Sequence, residues 1–157
     1  MMDKRQRLLL VLELLWWIAT AVVVLAVLYP IQKAMYLWPF QTWNIVFVIT
    51  LVTLTRYIFL LPHTLLAKRQ EIKVALIIAV FPFLFFLIGG LNGFMTYIEE
   101  NTFEALTGHL PAADKKSIEN YLWNEMLFFG AGSIIAAPVL AGRLFLSIWR
   151  VRNRGTV

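Results

Sequence analysis

The sequence contains no cysteine and only two histidines, and both shortages narrow the chemistry open to the chain. Without cysteine there are no disulfides, no thiolate zinc ligands and no thiol nucleophile. The serine-hydrolase pattern GxSxG and the zinc-protease pattern HExxH are also absent. We therefore expect no metal and no cofactor, and the sequence does not favour an enzyme.

Charged residues are also scarce. They make up 15% of the chain, against 61% hydrophobic residues and a mean hydropathy of +0.75. An ordinary soluble domain carries about 25% charged residues, so these proportions favour lipid as the solvent. The net charge is +5, but the lysines and arginines stand in short clusters beside long apolar runs. That placement is typical of membrane orientation rather than of a nucleic-acid-binding face, so no nucleic-acid partner is expected.

Four apolar runs are long enough to cross a bilayer as helices. They lie at residues 8–29, 40–61, 74–95 and 121–149. Since a helix rises about 1.5 Å per residue, each run covers a hydrocarbon core about 30 Å thick. We predict an all-α, polytopic membrane protein, with a single membrane domain over residues 1–157 that forms a four-transmembrane-helix bundle.

The segment 96–120 is the only sizeable extramembrane piece and is too short to bury a core of its own. Apolar and acidic residues alternate in its first half, so the third helix is expected to continue outward and stop at Gly108, a residue type that favours helix ends. Leu110-Pro111 predicts a bend. From about Ala112 the spacing indicates a short amphipathic helix that feeds the fourth span.

The basic residues predict which way the spans run. Most of them precede the first span, join the second to the third, or follow the fourth: Lys4, Arg5, Arg7, Lys68, Arg69, Lys73, Arg150, Arg152 and Arg154. By the positive-inside rule, both termini and the 62–73 loop face the cytoplasm, giving an N-in/C-in topology. The expected location is the plasma membrane, with a bacterial inner membrane as the leading case.

The fourth run is longer than a bilayer core requires, so its first turns, with Asn124 and Glu125, are expected in the outer headgroup zone. Three charged residues then fall inside the spans, where an ionised side chain costs at least ~2.5 kcal/mol on insertion scales. Glu13, Arg56 and Arg143 each lie roughly 9 to 11 Å inside the cytoplasmic boundary, counted along the helices. Their equal depth predicts a charged cluster of Glu13 with Arg56, Arg143 or both. A structural ion pair is the main interpretation, and a solute or proton pathway is the alternative.

Small residues occur at spacings that let helices approach closely. Gly89 and Gly93 form a GxxxG pair in the third span, and Gly132 and Ala136 form a stripe that leads to Arg143 in the fourth. Packing inside the bundle is the favoured role for these residues, and dimerisation is the alternative.

The basic clusters at both termini are candidate contacts for anionic lipid headgroups, each residue contributing ~1 kcal/mol. They comprise Lys4, Arg5, Arg7, Arg150, Arg152 and Arg154. Such clusters are common beside the inner leaflet, so they indicate a lipid surface rather than a defined ligand.

The leading functional hypothesis is a small accessory or scaffold subunit of a larger membrane assembly, because little polar surface is left for chemistry. Its partners would be the bilayer with its anionic lipids, and other membrane subunits or a second copy of the chain. The alternative is a transporter or channel for an ion or small solute that uses the charged cluster. An intramembrane enzyme acting on lipid has the least support.

Overall fold

In the computed structural model, residues 4–35 and 37–153 are described, and every regular element within them is helical. The helices are α1 (Lys4–Ala34), α2 (Gln41–Leu60), α3 (Gln70–Asn101), α4 (Glu104–Thr107) and α5 (Ala112–Asn153), with short 3-10 helices at Leu61–His63 and Leu65–Lys68. By length and composition, α1, α2, α3 and α5 can each cross a membrane. This confirms the predicted all-helical chain with four helices of spanning length.

Contacts between side chains indicate that the long helices alternate in direction. Glu13, near the start of α1, meets Arg56 near the end of α2. Lys73, near the start of α3, meets Ser147 near the end of α5. The short connection between α2 and α3 keeps the end of α2 near the start of α3. The start of α1 and the end of α5 therefore lie at the same end of the bundle, which is called the proximal end. The opposite end, where α2 and α5 begin, is the distal end.

The central helix of the bundle is α5. It packs extensively against both α2 and α3, whereas α1 contacts mainly α2. Only 6% of the apolar stretch of α1 is buried, against 28% of that of α5. The larger core cluster includes the fully enclosed Phe47, Leu87, Phe94, Leu122 and Met126. The buried apolar residues of α1 are concentrated in its distal part, where Leu28 and Ile31 join this cluster, so its proximal part is the more weakly packed.

The third long helix ends earlier than the sequence pattern predicts. It stops at Asn101 rather than at Gly108, because Thr102 adopts a φ of 56° and its N–H closes the helix on the carbonyl of Ile98. The acidic and apolar residues that follow form the separate helix α4 instead. Gly108 itself is right-handed, with a φ of −58°. The helix predicted from Ala112 is the first part of α5, which continues without a break to Asn153.

Candidate functional site

Near each end of the bundle, a cluster built around a carboxyl group lies between the described helices. The proximal cluster is built on Glu13 of α1 and Arg56 of α2. Arg56 Nη1 donates a hydrogen bond to Glu13 Oε2 at 2.7 Å, and the two side chains are 5% and 16% exposed respectively. The guanidinium carbon also lies 5.4 Å from the ring centre of Trp16 and 5.6 Å from that of Tyr57. The contacts with one carboxylate and two aromatic rings thus compensate the guanidinium of Arg56 for the hydration that it loses on burial.

Arg143 does not take part in this ion pair, although it was expected as a possible member of the charged cluster. Its Nε donates to the carbonyl oxygen of Ile58 at 3.2 Å. That carbonyl lacks its usual helical donor, because the residue four positions later is Pro62, which has no N–H. Arg143 therefore caps the end of α2. Arg143 and Glu13 lie at a similar depth, but α5 packs far more against α2 than against α1, so Arg143 meets α2.

The distal cluster was missed by sequence reasoning. Trp38 Nε1 donates to Asn44 Oδ1 at 2.9 Å, and Asn44 Nδ2 donates to Glu125 Oε1. Asn44 is fully enclosed and Glu125 is 7% exposed. The second carboxyl oxygen, Glu125 Oε2, is buried without a hydrogen-bond partner. The buried carboxyl group of Glu125 therefore accepts a hydrogen bond from an uncharged amide, and that amide accepts one from an uncharged indole.

A signal for Glu125 was present in the sequence. Because the fourth run is longer than a bilayer core requires, sequence reasoning places Glu125 with Asn124 in the outer headgroup zone. Ile118 and Leu122 lie on the buried face of α5, and Glu125 continues their spacing at i, i+4 and i+7. Extending the apolar face by one turn would have placed this carboxyl among buried residues.

The chemistry of the distal cluster differs from that of an ion pair. Within the described residues, no lysine or arginine lies within 4 Å of Glu125; the ion pairs found there are Glu13 with Arg56 and Glu104 with Lys115. Burial of a carboxyl group without a nearby cation is costly unless its oxygens find donors. Oε1 has such a donor and Oε2 has none, so Oε2 can accept one further hydrogen bond or a proton.

The two clusters are separated by packed side chains of α2, α3 and α5. Phe47, Leu87 and Ala137 are all fully enclosed in this central part of the bundle. Ser133 lies among them, and its hydroxyl donates to the carbonyl oxygen of Phe47 at 3.0 Å. The proximal and distal clusters are therefore distinct sites.

The small residues of α5 and α3 have different surroundings. A Cβ built on Gly132 would lie 3.0 Å from Leu51 Cδ2, and Ala136 is buried, so both residues allow α2 to approach α5. A Cβ on Gly89 or Gly93 would meet nothing within 4 Å. Packing within the bundle is therefore the wrong role for this pair. The face of α3 that meets α2 carries Gly90 instead, where a Cβ would overlap the Trp43 ring.

The basic residues expected at lipid headgroups are described only in part. Arg7, Arg150 and Arg152 are exposed at the proximal end. The side chains of Lys4 and Arg5, and all of Arg154, lie outside the described residues.

No metal-binding group emerges in residues 4–35 and 37–153, where no three histidine or acidic side chains come together in a suitable set. His109 lies with Nε2 3.3 Å from the carbonyl oxygen of Ala34. Comparison with known proteins adds no assignment, since no family model, no curated protein and no solved structure matches the chain.

Proposed function

We propose that the chain is a small accessory or scaffold subunit of a larger membrane assembly. The observation that supports this role is the outward face of α3, which carries features of a helix interface but is covered by no other described helix. Gly89 and Gly93 leave space there for a second backbone.

Asn92 strengthens the argument because it lies between the two glycines and is exposed. Its side-chain amide has no partner within the described part of the chain. In lipid an unpaired amide is costly, whereas hydrogen bonds between membrane helices stabilise association by ~0.6 kcal/mol on average. Phe85, one turn before Gly89, is 76% exposed and extends the same face. A helix from a partner subunit would satisfy the amide and use the space above the glycines.

The proposal includes insertion in the plasma membrane, a bacterial inner membrane in the leading case, with both termini in the cytoplasm. The lysines and arginines concentrated at the proximal end support this orientation. Fusion of a reporter that is active only outside the cytoplasm to each terminus tests it. Activity of either fusion would contradict the orientation.

The experiment for the subunit role is recovery of partners with a tagged chain in mild detergent. A defined partner, or a second copy, is expected at fixed stoichiometry. Gly93→Leu should lower the recovery about tenfold, because the added side chain occupies the space that a partner helix needs. Gly142→Leu is the matched control, since Gly142 on α5 is also exposed with nothing within 4 Å of an added Cβ. Recovery of the chain alone, or equal losses in both variants, would contradict the proposal.

The second candidate is a transporter or channel for an ion or small solute, and Glu125 is the observation that favours it. Its enclosed, unpartnered carboxyl oxygen is the kind of intramembrane group that carries a proton or a cation in transport proteins. Ion flux in liposomes that is lost in Glu125→Gln and Glu13→Gln, yet kept in Gly142→Leu, would place this function first. Absence of flux from the unaltered chain would remove it.

A further inference from the structure

A cavity of about 290 Å³ lies at the proximal end, between the α2–α3 connection and the last turns of α5. Arg143, Ser147 and Arg150 line one wall and share a face of α5 at i, i+4 and i+7. Pro62 and Ala67 line the opposite wall. Two cations and a hydroxyl are therefore directed to the same small space by the helical repeat of α5.

A third cation, Lys73, lies next to the cavity and bonds to two of its lining residues. Lys73 of α3 is fully enclosed, and its Nζ donates to Ala67 O at 2.6 Å and to Ser147 Oγ at 3.0 Å. Its remaining contact is the amide oxygen of Gln70, at 3.4 Å. All three acceptors are uncharged. Because Ser147 Oγ accepts the bond from Lys73, its own hydrogen is free to donate into the cavity.

These cations have no counter-charge within the described ranges. No carboxylate there lies within 4 Å of Lys73, Arg143 or Arg150, since the ion pairs that form involve other residues. Burial of a lysine without an opposite charge is unfavourable, so a bound anion would stabilise this end of the bundle. The Arg143 guanidinium uses only Nε on the carbonyl of Ile58, which leaves its terminal N–H groups for a ligand.

We propose that this cavity binds a phosphate group. Arginine and serine side chains donate hydrogen bonds to phosphate oxygens, and the enclosed lysine adds positive potential without touching the ligand. The volume suits a headgroup rather than a whole lipid. Basic pockets between membrane helices bind the headgroups of anionic lipids, so the phosphate comes either from such a lipid or from free phosphate. The site differs from a general basic flank, because residues of α5 and of the α2–α3 connection line a shared, partly open cavity.

The test measures binding of two probes to the purified full-length chain: vesicles or micelles containing phosphatidylglycerol, and inorganic phosphate. Arg150→Gln should weaken binding about tenfold, because it removes one charged hydrogen bond. Arg152→Gln is the matched control: it removes the same charge from the same exposed helix end but does not line the cavity. The control should leave the binding of inorganic phosphate almost unchanged, and should weaken binding to phosphatidylglycerol by no more than the ~1 kcal/mol, about fivefold, that one flanking basic residue contributes.

Ser147→Ala provides a second variant with an unchanged charge. It removes the hydroxyl from the cavity wall and should weaken binding several-fold, whereas general attraction to basic residues would not respond to it. Binding of phosphatidylglycerol alone assigns the site to a lipid headgroup, and binding of both probes shows that the phosphate group is sufficient. Binding of neither probe, or equal losses in Arg150→Gln and Arg152→Gln, would overturn the proposal.

Discussion

Glu13 and Glu125 are both carboxyl groups between helices of one bundle, but their surroundings differ. Glu13 meets the guanidinium of Arg56 at 2.7 Å, while Glu125 has only the amide of Asn44 and keeps one oxygen without a partner. The difference follows the packing around them. The proximal part of α1 is largely exposed and is held there by a directional ion pair, whereas this part of α5 packs among apolar side chains and carries a carboxyl group with only one oxygen hydrogen-bonded.

The largest effect is expected at the proximal cluster. Arg56→Met should lower the free energy of unfolding by about 3 kcal/mol, because Glu13 is left partly buried without its cation at the contact that joins the proximal part of α1 to α2. Reversible unfolding in detergent micelles, followed by circular dichroism, measures the change. The charge swap that combines Glu13→Arg with Arg56→Glu is the control. If the double variant is no more stable than the worse single variant, the pairing does not hold α1 to α2.

The distal cluster is expected to depend on hydrogen bonds rather than on charge. Asn44→Leu should cost about 2 kcal/mol of unfolding free energy, because leucine keeps the volume but leaves Trp38 Nε1 and Glu125 Oε1 without partners. Ser133→Ala, which removes one hydrogen bond to a backbone carbonyl in the same bundle, should cost only ~0.6 kcal/mol. Equal costs for the two variants would show that the distal cluster contributes no more than an ordinary single bond. The same unfolding assay compares them.

The smallest effects test the difference between Glu13 and Glu125 most directly, because the same substitution is made at both carboxyl groups. Glu13→Gln should destabilise the chain by about 1 kcal/mol, since Arg56 loses its counter-charge but keeps a hydrogen-bond acceptor and two aromatic rings. Glu125→Gln should change stability by less than about 0.5 kcal/mol, because glutamine keeps an oxygen for Asn44 and no cation is lost. Unfolding midpoints of the two variants give the order. The reverse order would refute the proposed difference between the clusters.

The failures of prediction have a common physical origin. Depth along a helix follows from counting residues, so the sequence places Glu13, Arg56 and Arg143 at one level but leaves open which arginine meets Glu13. Rotation about the helix axis decides contact, and Arg143 faces the end of α2 instead of α1. Gly89 and Gly90 differ by one residue, about 100° of rotation, and only Gly90 faces the bundle.

The four long apolar helices follow from the sequence, because hydropathy and the length of an apolar run are properties of contiguous residues. Three further features became clear only from the packed helices: α5 is central, Arg56 rather than Arg143 meets Glu13, and Glu125 is buried. Those outcomes depend on how helices rotate and pack against each other, which no local stretch of sequence specifies.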